Sequence, residues 1–188
     1  GLEKVEVKAK EFIQEGSTYT EGKLHIETEK AVLNGTGTQA GNIEITGNLE
    51  NYSVMNIGGL LSTNNLLNTG NLKAVDKIYT SGVSFNNSGE ILTTLLDINS
   101  TGILNTNKIT VIDNARLNGS NVTNNGYISG TTIEIITAGL TNTGTLAADE
   151  LIKANNTTIN NTGYIGSNSK INLSGSNFTN SGTVESSE

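Results

Sequence analysis

Along most of the chain, single apolar residues alternate with polar ones, and short alternating runs are separated by Gly, Asn, Ser and Thr. Alternation with a period of two is the signature of a strand with one face buried. One unit recurs. It reads Phe85-Asn86-Asn87-Ser88-Gly89-Glu90-Ile91 and returns as Val122 to Ile128, Leu140 to Leu146, Ile159 to Ile165 and Phe178 to Val184. An Asn column follows as Asn34, Asn51, Asn68, Asn87, Asn105, Asn124, Asn142, Asn161 and Asn180, with steps of 17, 17, 19, 18, 19, 18, 19 and 19. Two residues before each Asn stands an apolar residue, from Val32 and Leu49 to Ile159 and Phe178. Four residues after it stands another, from Met55 to Val184, with Thr38 the one departure. A second alternating series begins with Val5 and Val7, continues as Leu24 with Ile26 and Ile43 with Ile45, and reaches Ile171 with Leu173.

A repeat of 17–19 residues cannot bury its apolar face alone. Stacked repeats place each column inside and pair every strand with the coils above and below. The expected fold is all-β, a right-handed parallel β-helix of about ten coils, each with two or three short strands. Near the end the apolar residues Leu140, Leu146, Ile152, Ile159, Ile165, Ile171 and Phe178 step by 6, 6, 7, 6, 6 and 7. The seventh residue in every third step departs from a strict hexad and favours the right-handed class. Leu140, Leu146, Ile159, Ile165 and Phe178 are expected inside. Asn68, Asn87, Asn105, Asn124, Asn142, Asn161 and Asn180 are expected to stack as an amide ladder, since buried amides need partners. Gly70, Gly89, Gly126, Gly144, Gly163 and Gly182 are expected at positive φ, with Asn107 replacing one of them. Residues 66–188 form the regular series. Residues 1–65 are more divergent and more charged, with shorter coils. Both belong to one continuous solenoid, read as an interior piece of a longer chain.

Composition agrees. Of 188 residues, 34% are hydrophobic, 4% aromatic and 15% charged, with 22 Gly and no Pro. Disorder usually comes with high charge and much Pro. The net charge of −7, without a basic stripe, argues against nucleic acid. No run is long enough for a transmembrane helix, so no membrane insertion of this segment is expected. Cysteine is absent, which excludes disulfides and thiolate metal sites.

The repeats Thr141-Asn142-Thr143-Gly144-Thr145-Leu146 and Thr179-Asn180-Ser181-Gly182-Thr183-Val184 resemble those of filamentous haemagglutinin and other two-partner-secretion exoproteins. The resemblance covers 66–188 well and 1–65 loosely. It implies a structural β-helical shaft segment of a large exoprotein, secreted or on the cell surface of a Gram-negative bacterium. It also implies an outer-membrane transporter partner during secretion and a role in adhesion to a host or neighbouring-cell surface. The alternative is an adhesin module that itself binds glycan or protein through an exposed face.

Candidate chemistry is sparse. No catalytic, cofactor or metal residues are assigned, and no enzyme activity is expected. His25, the single His, lies between Leu24 and Ile26 and should point outward. A carbohydrate-active β-helix enzyme would need two carboxyls across one bond. Asp76, Asp113 and Glu150 fall at similar coil positions two coils apart, and Asp149 and Glu150 should face opposite ways. No calcium-binding nonapeptide is present. Asn-x-Ser/Thr triplets at Asn99, Asn118, Asn121, Asn156 and Asn177 are possible sugar acceptors. The outward column after each Gly reads Asn71, Glu90, Lys108, Tyr127, Thr145, Tyr164 and Thr183. That mixture is not the flat Thr array an ice-binding surface needs. Tyr127 and Tyr164 are its possible contact residues.

Overall fold

The computed structural model describes residues 3–187, apart from the side chains of Asn156 and Thr157. The chain is all β, a parallel solenoid of ten coils, and each coil has three faces. Face C carries the series that starts at Lys4–Lys8, face A the series that starts at Glu11–Gln14, and face B the series that starts at Ser17–Tyr19. Every strand pairs in parallel with its counterpart one coil on. Lys4–Lys8 lies along Lys23–Glu27, Glu11–Gln14 along Lys30–Leu33, and Ser17–Tyr19 along Gly37–Ala40. At the usual strand spacing of roughly 4.8 Å, ten coils make a rod about 45 Å long.

The steps of six and seven residues are therefore the three sides of one coil. Leu140 stacks on Ile159 and Phe178 on face A, Leu146 on Ile165 and Val184 on face B, and Ile152 on Ile171 on face C. The face C series runs Val5, Leu24, Ile43, Leu61, Ile78, Leu96, Ala115, Ile133, Ile152, Ile171. Between them, Leu24 and Ile152 are among the many columns' members that are essentially inaccessible. Burying one such side chain is worth roughly 1.5–3 kcal/mol, and each coil supplies several.

Three expectations are corrected. The short steps are not where the Asn column put the first of them: on face A, Gln14 to Leu33 and Leu33 to Asn51 are steps of 19 and 18, whereas face B does take two 17-residue steps, Thr38 to Met55 and Met55 to Leu72. On face A, Leu33 and not Asn34 pairs with Asn51, and Ala31 and not Val32 pairs with Leu49. Asn34 is an exposed turn residue, and the column position one coil earlier is Gln14. Thr38 does hold the face B column position, opposite Met55. It is buried, and its hydroxyl donates to Gln14 Oε1 at 2.7 Å.

The glycine expectation also fails in its cause. Among the described residues only Gly37 has positive φ. The column glycines are needed because two backbones meet there. A Cβ on Gly89, Gly126, Gly144 or Gly163 would stand 2.0–2.1 Å from a carbonyl oxygen of the preceding coil. Where Asn107 replaces Gly, the next inter-coil bond, from Lys108 N–H to Gly89 O, is stretched to 3.4 Å. Its counterparts from Tyr127, Thr145 and Tyr164 are 2.7–2.8 Å.

Phe178 is the third correction. It occupies the face A column over Ile159, yet it is 52% exposed. In the last described coil nothing stacks on its outer side, so column membership does not confer burial there. Leu140, Leu146, Ile159 and Ile165 are buried as expected.

Candidate functional site

The Asn ladder is continuous from Asn51 to Asn180. Each Nδ2 donates to the Oδ1 of the Asn one coil on, at 2.7–2.8 Å, through Asn68, Asn87, Asn105, Asn124, Asn142 and Asn161. From Asn68 to Asn161 the same Nδ2 also reaches a face B carbonyl of the next coil, for example Thr145 O at 2.9 Å from Asn124 and Tyr164 O at 3.0 Å from Asn142. The rungs from Asn51 to Asn161 are 1% exposed or less, whereas Asn180 is exposed. Leu33 supplies no amide to the first rung. Asn51 Oδ1 instead accepts from Ser53 N–H at 3.2 Å and Ser53 Oγ at 3.3 Å. Ser53 stands where later coils carry Gly, and it caps the ladder.

The ladder is structural. The surfaces able to meet a partner are the outsides of the three faces. On face C, His25 points outward between buried Leu24 and Ile26, with Nδ1 3.0 Å from Glu44 Oε2. Its register neighbours are Glu6 and Glu44. The Lys23 ammonium hydrogen-bonds Glu44 and holds its carboxyl below the usual range, against the opposing effect of desolvation. Farther along, Lys77, Asp97, Arg116, Glu134 and Lys153 form a chain of alternating charge, with contacts of 2.8, 3.5, 3.7 and 3.0 Å.

Among the described residues, carboxylates do not gather into a cleft. Asp76, Asp113 and Glu150 recur at the corner between faces B and C, two coils or about 10 Å apart. Asp149 and Glu150 do not alternate in and out. They sit where the register slips between 148 and 151, and both are exposed. Among the described residues no group of His, Cys, Asp or Glu is placed to hold a metal ion, and no helix is long and apolar enough to cross a membrane.

Face B is the surface with relief. Its outward column runs Asn71, Glu90, Lys108, Tyr127, Thr145, Tyr164, Thr183 as expected. Tyr127 and Tyr164 thus share a column with Thr145 between them. Beside them a second outward column dwindles in size through Thr110, Ser129, Ala147 and Gly166. The two columns bound a shallow recess of about 390 Å³ that reaches Asp149 and Asn168 on its far side. Asn168 Nδ2 donates to Asp149 Oδ1 at 3.4 Å.

Tyr164 is held in an unusual pose. Gly166 points outward, yet it is buried. A Cβ there would lie 2.1 Å from the Tyr164 Oη and 2.3 Å from its Cε1 and Cζ. The ring therefore lies across the Gly166 backbone. Its hydroxyl donates to Glu185 Oε1 at 2.8 Å, and that bond raises the phenol's pKa, with desolvation adding to it. The sequence marked both tyrosines. It did not mark Gly166, although a Gly where Ala147 and Ser129 stand one and two coils earlier was a readable signal. Compared with known proteins, the chain matches no family model, no curated protein and no solved structure.

Proposed function

We propose that this chain is a shaft segment of a secreted or cell-surface bacterial exoprotein, a non-catalytic rod that holds an interacting region away from the cell. The observation that carries this reading is the unbroken ladder from Asn51 to Asn180 within ten coils in parallel register. Such a stack adds length coil by coil without changing its cross-section. The absence of cysteine suits a chain exported unfolded through an outer-membrane partner, since no disulfide has to form or be broken on the way. The repeats Thr141 to Leu146 and Thr179 to Val184, similar to those of the filamentous haemagglutinin class, support surface display and a role in adhesion. A second reading, a module that itself contacts glycan or protein, is favoured by the recess between Tyr127 and Tyr164 on face B.

Coil excision tests the shaft. Deleting residues 87–104 joins Asn86 to Asn105 and keeps both the Asn column and the face B recess. In the exported parent protein, a shaft tolerates the deletion. Surface display and cell attachment persist, and the rod shortens by about 4.8 Å. Loss of attachment by a folded, displayed deletion protein would refute the spacer role.

A further inference from the structure

We infer that the face B recess between Tyr127 and Tyr164 binds a neutral pyranose glycan, with one sugar ring stacked on Tyr164. This deepens the contact-module reading of face B and does not depend on the shaft role.

The argument starts from Tyr164. An exposed tyrosine normally samples several rotamers, and holding it still on binding costs affinity. Here the cost has already been met by the fold. The ring lies across Gly166, where any side chain would collide with it. Its hydroxyl is tied to Glu185. Its backbone carbonyl is held from behind by Asn142 Nδ2 at 3.0 Å. One side of the ring rests on the sheet, and the residue remains partly accessible along the recess. A fixed, flat, amphipathic ring is the element that recognises the C–H face of a pyranose, because the ring's negative face attracts the weakly positive C–H edge.

The surroundings fit the rest of a sugar. The floor beside the ring is Ser129 and Ala147, with no long side chain to block it. The far side offers the Asp149 carboxylate and the Asn168 carboxamide, which together accept from and donate to hydroxyls. The recess of about 390 Å³ falls in the range of small-ligand sites, roughly 300–1,000 Å³. Tyr127, 40% exposed, stands two coils away in the same column, about 10 Å off. It offers a second platform to the next sugar along the rod axis.

Charge selects the class. Among the described residues no Lys, Arg or His lines the recess, and Asp149 does. Tyr164 donates to Glu185, and Lys108, one coil before Tyr127, lines neighbouring hollows but not this recess. A uronate or sialylated glycan would meet a carboxylate with no compensating cation. A neutral oligosaccharide meets hydroxyl partners at no such cost.

The test is saturation-transfer and chemical-shift NMR on the 188-residue chain. The probes are β-1,4-glucose, α-1,4-glucose, β-1,4-N-acetylglucosamine and β-galactose oligosaccharides of one to four units, with a galacturonate series beside them. Saturable binding to at least one neutral series is expected, tighter for two units than for one. Tyr164→Ala should weaken it at least tenfold, and Tyr164→Phe should keep most of it. Tyr127→Ala should remove the gain from the second unit. Tyr52→Ala, an exposed tyrosine at another corner, should change nothing. Circular dichroism of each variant checks that the coil stack is intact. Failure of every neutral series to bind overturns the inference, as does binding that survives Tyr164→Ala, or tighter binding of galacturonate. None of these outcomes bears on the coil-excision test of the shaft.

Discussion

Asn142→Ala is the most direct probe of what holds the coils in register. Asn142 accepts from Asn124 Nδ2 at 2.8 Å, and it donates to Asn161 Oδ1 at 2.8 Å and to Tyr164 O at 3.0 Å. Truncation strands one donor hydrogen on Asn124 and the Oδ1 of Asn161, both at residues 1% exposed or less. A buried polar group left unsatisfied costs about 1–3 kcal/mol. With two stranded groups and a small void, the expected loss is about 3–5 kcal/mol. Asn180→Ala is the internal control. It removes the same kind of bond, from Asn161 Nδ2 at 2.7 Å, at an exposed rung where water takes the vacated place, and should cost about 1 kcal/mol. Urea denaturation followed by far-ultraviolet circular dichroism and by tyrosine fluorescence measures both. Stacked repeats can lose coils piecemeal, so coincidence of the two probes decides whether one free energy applies. Equal losses for the two variants, within about 0.5 kcal/mol, would refute the account of the ladder as a set of buried, mutually dependent amides.

Gly144→Ala places a Cβ 2.0 Å from Gly126 O and should cost about 1–3 kcal/mol by prising two coils apart. A midpoint unchanged in urea would mean the backbones do not meet there. Phe85→Ala, at a fully buried column position, should cost about 3–5 kcal/mol, and Phe178→Ala, 52% exposed, clearly less. The same denaturation assay ranks them, and the reverse order would contradict the assigned ends of the stack. Glu185→Ala should bring the Tyr164 pKa down towards that of an ordinary tyrosine, because the Glu185 hydrogen bond is the main cause of its rise. Titration of the Tyr164 ring carbon by NMR checks this. Glu44 and Glu6 have folded pKa values below their unfolded ones, chiefly through hydrogen bonds from Lys23 and Lys4. Their stabilisation is therefore complete above the ordinary carboxylate pKa and is lost as pH falls through the depressed one. Lys23→Met should flatten that acid-side loss, and an unchanged acid profile would show that the Lys23–Glu44 pair contributes nothing.

Much of this was legible because a solenoid writes its contacts into the sequence at one fixed spacing. Asn68 to Asn180, the apolar columns beside them and the neighbourhood of Tyr127 and Tyr164 all follow from that spacing. The failures have separate causes. Val32 with Asn34 mimics the apolar-x-Asn motif one residue out of register, and a strand shifted by one residue reverses every side chain. The face C series kept its 19-residue step through Val5, Leu24 and Ile43, and that was the available signal against placing Asn34 in the column. Glycine in a repeat reports that a Cβ is excluded, but not whether a dihedral or a neighbouring carbonyl excludes it. Spacing also places Phe178 in its column without saying whether anything covers it. Gly166 was unreadable as a partner of Tyr164 because the contact is diagonal, from one outward column to the next.

The apolar columns by themselves leave the register loosely specified. Leu, Ile and Val recur on all three faces, so a strand displaced by two residues would still set apolar side chains inward. The Asn column removes that freedom. A displacement by two residues would set an amide against Leu140 or Ile159 and strand donors and acceptors on both sides, at about 1–3 kcal/mol for each group. This is the role a single buried Asn plays in fixing coiled-coil register, repeated here in successive coils. The bonds are also directional, since every Nδ2 points towards the following coil and every Oδ1 from Asn68 on receives from the preceding one. The charge chain on face C acts in the same sense. Lys77, Asp97, Arg116, Glu134 and Lys153 alternate in sign. As partly exposed pairs they add only about 0–1 kcal/mol each, but a strand slipped along the coil gives up its opposite-charge neighbour. Stability thus comes mainly from columns that many sequences could supply, while register comes from a few polar residues. A rod built this way can vary its exposed surface widely, and Tyr164, hung on Asn142 through its backbone carbonyl, is where that rigid register reaches the surface.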